Sequence, residues 1–410
     1  MKIINYTYKY RLNPNLEQEV LLNKHFGATR FVWNRLLSER QEAYQTENKT
    51  LNYYDDARRL VELKRVEEFE WLKEINSQSL QSAAKFLDGA YSDFFKKLKG
   101  FPNYKSKKDS NKSFRVPQST RVENGKLYIP KFKDGIDIKV HRALEGKICF
   151  ATVTKNAVGQ YHASITVEKE IKIKKSKSKK AIGIDLGIKD LIVTSENVTI
   201  PNPKFRKSSQ KKITKLSRQL AKKQNGSKNR DKARVRLAKE HLKIANQRAD
   251  YIHKATSKLV NENQVIIMED LNVRGMVRNH KLAGAISDVA FHEIKRQIEY
   301  KTGWQDKIFF QVDRFYPSSK TCAECGFVNK NLKLSDRTWT CPKCNSELLR
   351  DWNASRNILW YGLKRLLEEN RDGIARIYAC GLPSYGRTLL KDNLRSNGRE
   401  KQEAAVMQNV

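Results

Sequence analysis

Three carboxylates and four thiols in this chain have the types and spacing to hold metal ions. Asp185 sits in Gly183-Ile184-Asp185-Leu186-Gly187, where an apolar run ends in an acid bracketed by glycines. Glu269 and Asp270 end the run Val265-Ile266-Ile267-Met268. Strand alternation sends these two acids to opposite faces, so one can join a site while the other caps the next element. Asp351 stands in Arg350-Asp351-Trp352-Asn353-Ala354, where a helical pattern begins. Taken singly, each has an ordinary explanation, a turn aspartate or a helix N-cap. Taken together, three acids on two strand ends and a helix start suit a two-metal site. There, two Mg²⁺ ions about 3.5–4 Å apart share carboxylates and substrate phosphate oxygens. One ion activates water and the other stabilises the leaving 3′ oxygen, and such hard cations take oxygen rather than sulfur.

The thiols follow a different chemistry. Cys322-x2-Cys325 and Cys341-x2-Cys344 are separated by fifteen residues. In a chain whose N-terminus lacks a secretory signal, that spacing reads as one tetrahedral Zn²⁺ with a closed shell, not as a disulfide framework. A closed site leaves no position for catalysis, so the zinc is expected to be structural. Cys149 and Cys380 are isolated.

These residues need elements to present them. Ala181–Leu186 and Val265–Glu269 read as buried strands, with further strands at Leu191–Thr194, Val198–Pro201 and Lys307–Val312. A basic helical pair is expected over 204–224 and 228–262, broken at Asn225-Gly226-Ser227. Ser287 or Asp288 is the expected cap of a helix running to about Tyr300, and a last helix spans about Asp351 to Glu369. The N-terminal part has a different pattern. Residues 4–12 alternate as a half-buried strand, and Asn15 with Gln18 makes a capping box for a long helix whose period Gly27 interrupts. Residues 55–99 read as two more helices, closed by Gly100-Phe101-Pro102. Short strands follow at Lys126–Ile129, Ile136–Val140, Lys147–Lys155 and Tyr161–Glu168. A helical insert thus interrupts a β module, and Lys172 to Lys180 is a basic linker to the next domain.

Charge names the partner class. The 410 residues carry 81 Lys and Arg against 45 Asp and Glu, a net +36, which calls for a polyanion. Nucleic acid is the default, because each neutralised phosphate releases a condensed counterion. No run of about 20 apolar residues is present, which excludes a spanning helix, and secretion is not expected. The helical pair at 204–262 concentrates the charge: Lys211, Lys215, Arg218, Lys222 and Arg234 stand among few acids. A solvated helix usually mixes signs, so this run is expected to track phosphates.

In this order, Gly183-Ile184-Asp185-Leu186-Gly187-Ile188-Lys189, Met268-Glu269-Asp270-Leu271, Tyr316-Pro317-Ser318-Ser319-Lys320-Thr321-Cys322 and Arg350-Asp351-x-Asn353-Ala354 resemble TnpB, the RNA-guided nuclease family of small insertion sequences. TnpB in turn resembles the ancestor of type V CRISPR effectors. Gly27-Ala28-Thr29-Arg30-Phe31-Val32-Trp33-Asn34 and Phe94-Phe95 before Gly100-Phe101-Pro102 extend the likeness over about residues 3–380. The resemblance implies a multidomain α+β and α/β chain. Its parts are a wedge-type β-barrel (1–14 and 101–171) with a helical recognition lobe (15–100) inserted, the linker 172–180, and an RNase H-like RuvC domain (181–315 and 350–380). A zinc finger (316–349) that binds target nucleic acid is inserted in that domain, and a mobile tail (381–410) closes the chain. Asp185, Glu269 and Asp351 match the family's catalytic acids. An ωRNA guide, double-stranded DNA with a short transposon-adjacent motif, and a TnpA-type transposase of the same element are the implied partners, in a prokaryotic cytoplasm at the nucleoid. By position, Tyr53, Ser77, Gln78 and Gln81 would read the duplex. One departure is plain: where the family has His-Asp-Arg-Asp, this chain has Leu348-Leu349-Arg350-Asp351. Two other functions share these features, an RNA-guided repressor with a weak or dead nuclease and an unguided DNA transposase.

Overall fold

The computed structural model describes residues 1–109, 112–173, 180–333 and 335–368. Residues 174–179 of the expected linker lie outside these residues, as do 369–380, with Cys380, and the tail 381–410. The chain divides into two compact units, at Lys172 and Ile173.

In the first unit, β1 (Lys2–Asn13) buries Tyr8, Tyr10 and Leu12 on one face. Asn15 accepts from the Gln18 backbone at 2.8 Å, and the Gln18 side chain accepts from the Asn15 backbone at 3.2 Å. This capping box starts α1 (Leu16–Glu47), which runs unbroken through Gly27. A single mid-helix glycine costs about 1 kcal/mol and does not stop a helix anchored by packing. Two helices are expected after it, but three pieces form: α2 (Tyr53–Leu63), a 3₁₀ segment (Glu67–Glu74) and α3 (Ser77–Phe95). Asn52 and Asn76 cap the two α-helices, and extended Val66 separates the pieces. Arg40 of α1 ties them together. Its buried guanidinium reaches Asp56 at 2.6 Å and Asp88 at 3.0 Å.

The strands β2 (Lys112–Val116), β3 (Arg121–Glu123), β4 (Lys126–Ile129), β5 (Phe132–Lys139), β6 (Lys147–Lys155) and β7 (Tyr161–Ile171) join β1 in one antiparallel sheet. Its order is β2-β6-β7-β1-β5-β4-β3. The helical segments thus lie in sequence between β1 and the other strands, while β1 pairs in space with β7 along eleven residues.

In the second unit, β8 (Ala181–Leu186), β9 (Asp190–Thr194) and β10 (Thr199–Pro201) form a meander. The basic helices α4 (Phe205–Ala221) and α5 (Lys228–Glu262) follow, then β11 (Val265–Glu269). Next come α6 (Val273–Val277), α7 (His280–Val289), α8 (Phe291–Trp304) and β12 (Ile308–Val312). The cysteine-bearing segment carries β13 (Thr338–Thr340) and β14 (Glu347–Leu349), and α9 (Arg350–Glu368) is last. The large sheet has order β10-β9-β8-β11-β12, with β8, β11 and β12 mutually parallel.

Alternation on these strands feeds two cores. Ile182, Ile184, Ile266 and Met268 pack with α5, α7 and α8 on one face. Val265 and Ile267 pack with Ile358, Leu359, Trp360 and Leu363 of α9 on the other. The expected cap of α8 is a correction. Ser287 and Asp288 lie inside α7, and the chain turns at Ala290 (φ 55°, ψ 49°) before α8 begins. Asp288 instead accepts from the Arg206 backbone at 3.0 Å and faces Arg248 at 3.7 Å. Burial of Ile286, Val289 and Phe291 outweighs the local capping signal there.

Candidate active site

Asp185 follows Gly183 by two residues, so it shares the strand face that α9 covers. Glu269 shares the face of Val265 and Ile267 for the same reason. The two strands are parallel neighbours with Met268 opposite Ile184, which puts Glu269 level with Asp185 at the carboxyl ends of both strands. Asp351 lies in the first turn of α9.

Glycine sets the crossing of α9 over the sheet. A methyl on Gly183 would stand 2.1 Å from the Ser355 carbonyl oxygen and 2.7 Å from the Leu359 nitrogen. On the helix side, a methyl on Gly362 would stand 2.4 Å from Ile267 Cγ2. Helix backbone therefore lies directly on strand β8. Ser355 is one helical turn beyond Asp351, and Gly183 is two residues before Asp185, so this contact aligns the two acids.

Electrostatics reports how close the acids are. Burial, with Glu269 and then Asp351 adding repulsion, pushes the Asp185 carboxyl up to about 8. Burial also raises Glu269, against a lowering hydrogen bond from Ser318. Nearby Arg350 lowers the Asp185 carboxyl only in part, and the oxygen donors of the three acids are of the kind that Mg²⁺ takes. Asp270 points elsewhere. It pairs with Arg314 and, at 3.8 Å, Lys295, beside a cavity of about 240 Å³ that Glu269, Phe291 and His292 also line.

The four cysteine sulfurs all lie within 4.8 Å of one another, close enough to hold one metal ion. Cys322 Sγ lies 3.7 Å from Cys344 Sγ, and Cys325 Sγ lies 3.6 Å from Cys341 Sγ. A tetrahedron with Zn–S of about 2.3 Å has edges of about 3.8 Å, so the sulfurs fit Zn²⁺. Both knuckles share one backbone design. Gly326 N–H donates to Cys322 O at 2.9 Å, and Asn345 N–H to Cys341 O at 2.8 Å, each of these residues with positive φ. Leu348, the first apolar residue of the departure, is buried with Trp339, Cys322 and Cys341, whereas Leu349 is exposed. Leu348 therefore fills the finger rather than the acid site, and Leu349 faces solvent.

The finger is bound to α9 and to the acids by residues whose roles the sequence did not reveal, although Ser318 and Asn353 belong to the quoted motifs. Asn353 accepts from Ala323 N–H at 2.8 Å and donates to Thr321 O at 2.7 Å. Asn357 donates to Ser318 O at 2.8 Å and Thr321 O at 2.6 Å. Ser318 Oγ donates to Glu269 Oε1, and Arg337 Nη1 donates to Asp351 Oδ2 at 3.2 Å. A faint signal existed: Asn353 and Asn357 are four apart, one turn along the same face of α9. Ser318 and Arg337 lie in loop sequence without a period.

The expected nucleic-acid residues are scattered. Tyr53 is partly buried against the helical core, the Ser77 hydroxyl accepts from Lys64, Gln78 donates to Gln118 at 3.0 Å, and Gln81 is exposed. Lys211, Lys215, Arg218 and Lys222 line one open groove along α4 with Gln210, Thr214 and Gln219. Arg234, on α5, pairs with Asp231 at 3.2 Å. No helix among the described residues is long and apolar enough to cross a membrane.

Residues 164–280 match the family model described as "Probable transposase", OrfB_IS605. Residues 291–358 match "Cas12f1-like, TNB domain", and residues 1–49 match "Helix-turn-helix domain", although here they form one strand and one long helix. The chain is 38% identical over 366 residues to a Streptomyces pristinaespiralis protein named "Putative RNA-guided DNA endonuclease", covering 88% of this chain and 90% of that protein. It is 32% identical over 374 residues to "Putative RNA-guided DNA endonuclease InsQ" of Escherichia coli (strain K12), covering 87% and 92%. Its fold is similar to the protein in a cryo-EM structure of a Cas12f1–sgRNA–target DNA complex, with a TM-score of 0.52 and 14% identity over 87% of this chain and 98% of that one.

Proposed function

We propose, from the premise that this chain belongs to the TnpB family, that it is an RNA-guided, Mg²⁺-dependent DNA endonuclease of a transposable element. The observation that carries this reading is the triad of acids. Asp185 and Glu269 end adjacent parallel strands, Asp351 lies in the helix crossing them, and burial, with added repulsion from Glu269 and Asp351, holds Asp185 up to about 8.

In this reading, residues 181–315 and 350–380 make an RNase H-like RuvC domain, and residues 316–349 a zinc finger contacting target nucleic acid. Residues 1–14 and 101–171 make a wedge-type barrel, and 15–100 a recognition lobe. Asp185, Glu269 and Asp351 would hold the divalent ions that act on the scissile phosphate. When bound, two Mg²⁺ ions supply an activated water and neutralise the leaving 3′ oxygen. Cys322, Cys325, Cys341 and Cys344 hold one structural zinc. Lys211, Lys215, Arg218, Lys222 and Arg234 track backbone phosphates without reading bases. Tyr53, Ser77, Gln78 and Gln81 face the adjacent motif, while pairing with an ωRNA selects the rest of the target. A TnpA-type transposase of the same element is the expected protein partner, and the nucleoid the place of action.

The test is to express the native locus, sequence the copurified RNA, and change only its guide segment. Cutting should move to the newly matched plasmid, require Mg²⁺, and stop when the RNA is digested. Cutting that stays at the old site, or survives RNA digestion, overturns the guided reading. Binding that follows the guide without any cut makes the protein a guided binder instead.

A further inference from the structure

The cysteine finger does more than pack beside the acid site: it places one side chain on each of two acids. Ser318 is 5% exposed, and its hydroxyl donates to Glu269 Oε1. The backbone that carries this hydroxyl is held in place. The Ser318 carbonyl is held by Asn357 at 2.8 Å, and its backbone N–H donates to Tyr316 O at 2.8 Å. With one oxygen engaged, Glu269 is fixed about its terminal torsion, and Oε2 is left for another ligand.

Arg337 is held differently. Its carbonyl accepts from Arg350 N–H at 2.8 Å, which anchors the backbone at the start of α9. Its guanidinium makes a single contact of 3.2 Å with Asp351 and is 54% exposed. Exposed ion pairs made through one hydrogen bond are weak, so an incoming divalent cation can displace it. A buried neutral donor on one acid and an exposed cation on another should affect metal binding in opposite directions.

We propose that Ser318 is a positioning residue that holds Glu269 ready for a divalent cation, and that Arg337 is a placeholder on Asp351 that the cation displaces. The inference rests on the reading of Asp185, Glu269 and Asp351 as metal ligands. It makes the finger part of the metal site's scaffold, in addition to any role toward nucleic acid. Partners that orient a ligand typically contribute about 10–100-fold to metal affinity.

The experiment titrates Mn²⁺ into the full chain without nucleic acid and follows the free-ion EPR signal. Ser318→Ala should weaken binding about tenfold or more, and Ser318→Thr, which keeps the hydroxyl, should restore it. Arg337→Ala should tighten binding by a few-fold. Zinc content, measured on every variant, shows that the finger remains folded. If Ser318→Ala binds Mn²⁺ like wild type with zinc retained, or if Arg337→Ala weakens binding, the proposal is overturned. Asp185→Ala separates the two levels. If that variant binds Mn²⁺ like wild type, the acids are not the metal site, whatever the finger variants do.

Discussion

Replacing Gly183 by alanine perturbs the acid site without touching any acid. The new methyl would sit 2.1 Å from the Ser355 carbonyl oxygen. A carbon–oxygen contact needs about 3.3 Å, so α9 must retreat by roughly 1.2 Å. Strand β8 cannot yield in its place, because it is paired on both sides, to β9 and β11, and packs its other face into a full core. The retreat reaches Asp351, one turn from Ser355, while Asp185 stays on the strand. A misplacement of about 1 Å at reacting groups costs roughly 100-fold in rate, and overpacking of this kind costs about 1–3 kcal/mol in stability. The assay is single-turnover cutting of a guide-matched plasmid, with complex formation measured separately and amide exchange followed over residues 350–363. Gly183→Ala should assemble normally, cut about 100-fold more slowly, and lose protection along α9. Wild-type cutting with unchanged protection would show that the close crossing does not set the acid geometry. Gly362→Ala is the milder companion, since its obstacle is the Ile267 side chain at 2.4 Å rather than backbone.

Metal-free protein should show the strain at Asp185 in its pH profile. A carboxyl raised from 3.8 to about 8 binds its proton more tightly in the folded chain, so this site's contribution to stability falls as pH rises from about 4 to about 8. Asp185→Asn should therefore melt higher than wild type at pH 8–9 in chelator, with the gap closing toward pH 4; a gap that does not change with pH refutes the assigned shift. Metal analysis should find about one tightly held zinc per chain, and Cys322→Ser should lose it and unfold residues 316–349 first, as seen by proteolysis, because zinc binding energy is local folding energy. In the first unit, Asp56→Ala should cost about 3–5 kcal/mol by leaving Arg40 buried beside only the partly exposed Asp88, whereas Arg40→Met with Asp56→Leu should recover most of it in urea unfolding.

Much of the frame was legible without coordinates. The alternation in Val265–Glu269 and the run Ala181–Leu186 set both strands and the face on which Asp185 and Glu269 lie. The box of Asn15 and Gln18 marked the start of α1, and the repeated C-x2-C spacing brought four sulfurs together. These features are decided within a few residues by backbone hydrogen bonds, side-chain period and ligand reach, so the order of residues is enough to specify them. The misreadings were local signals that packing overruled. Ser287 and Asp288 have good capping chemistry, but burying Ile286, Val289 and Phe291 moved the turn to Ala290. Gly27 has poor helix propensity, yet α1 continues through it. Only the tertiary structure could decide what Gly183 approaches, because a glycine in a strand permits close contact with ligand, phosphate or backbone alike, and here it meets the backbone of α9, far away in sequence. The same holds for Ser318 on Glu269, Arg337 on Asp351, and Leu348 filling the finger beside Trp339. Each of these contacts depends on where two separately specified elements cross, and crossing geometry is set by the volumes packed between them rather than by either segment's own pattern.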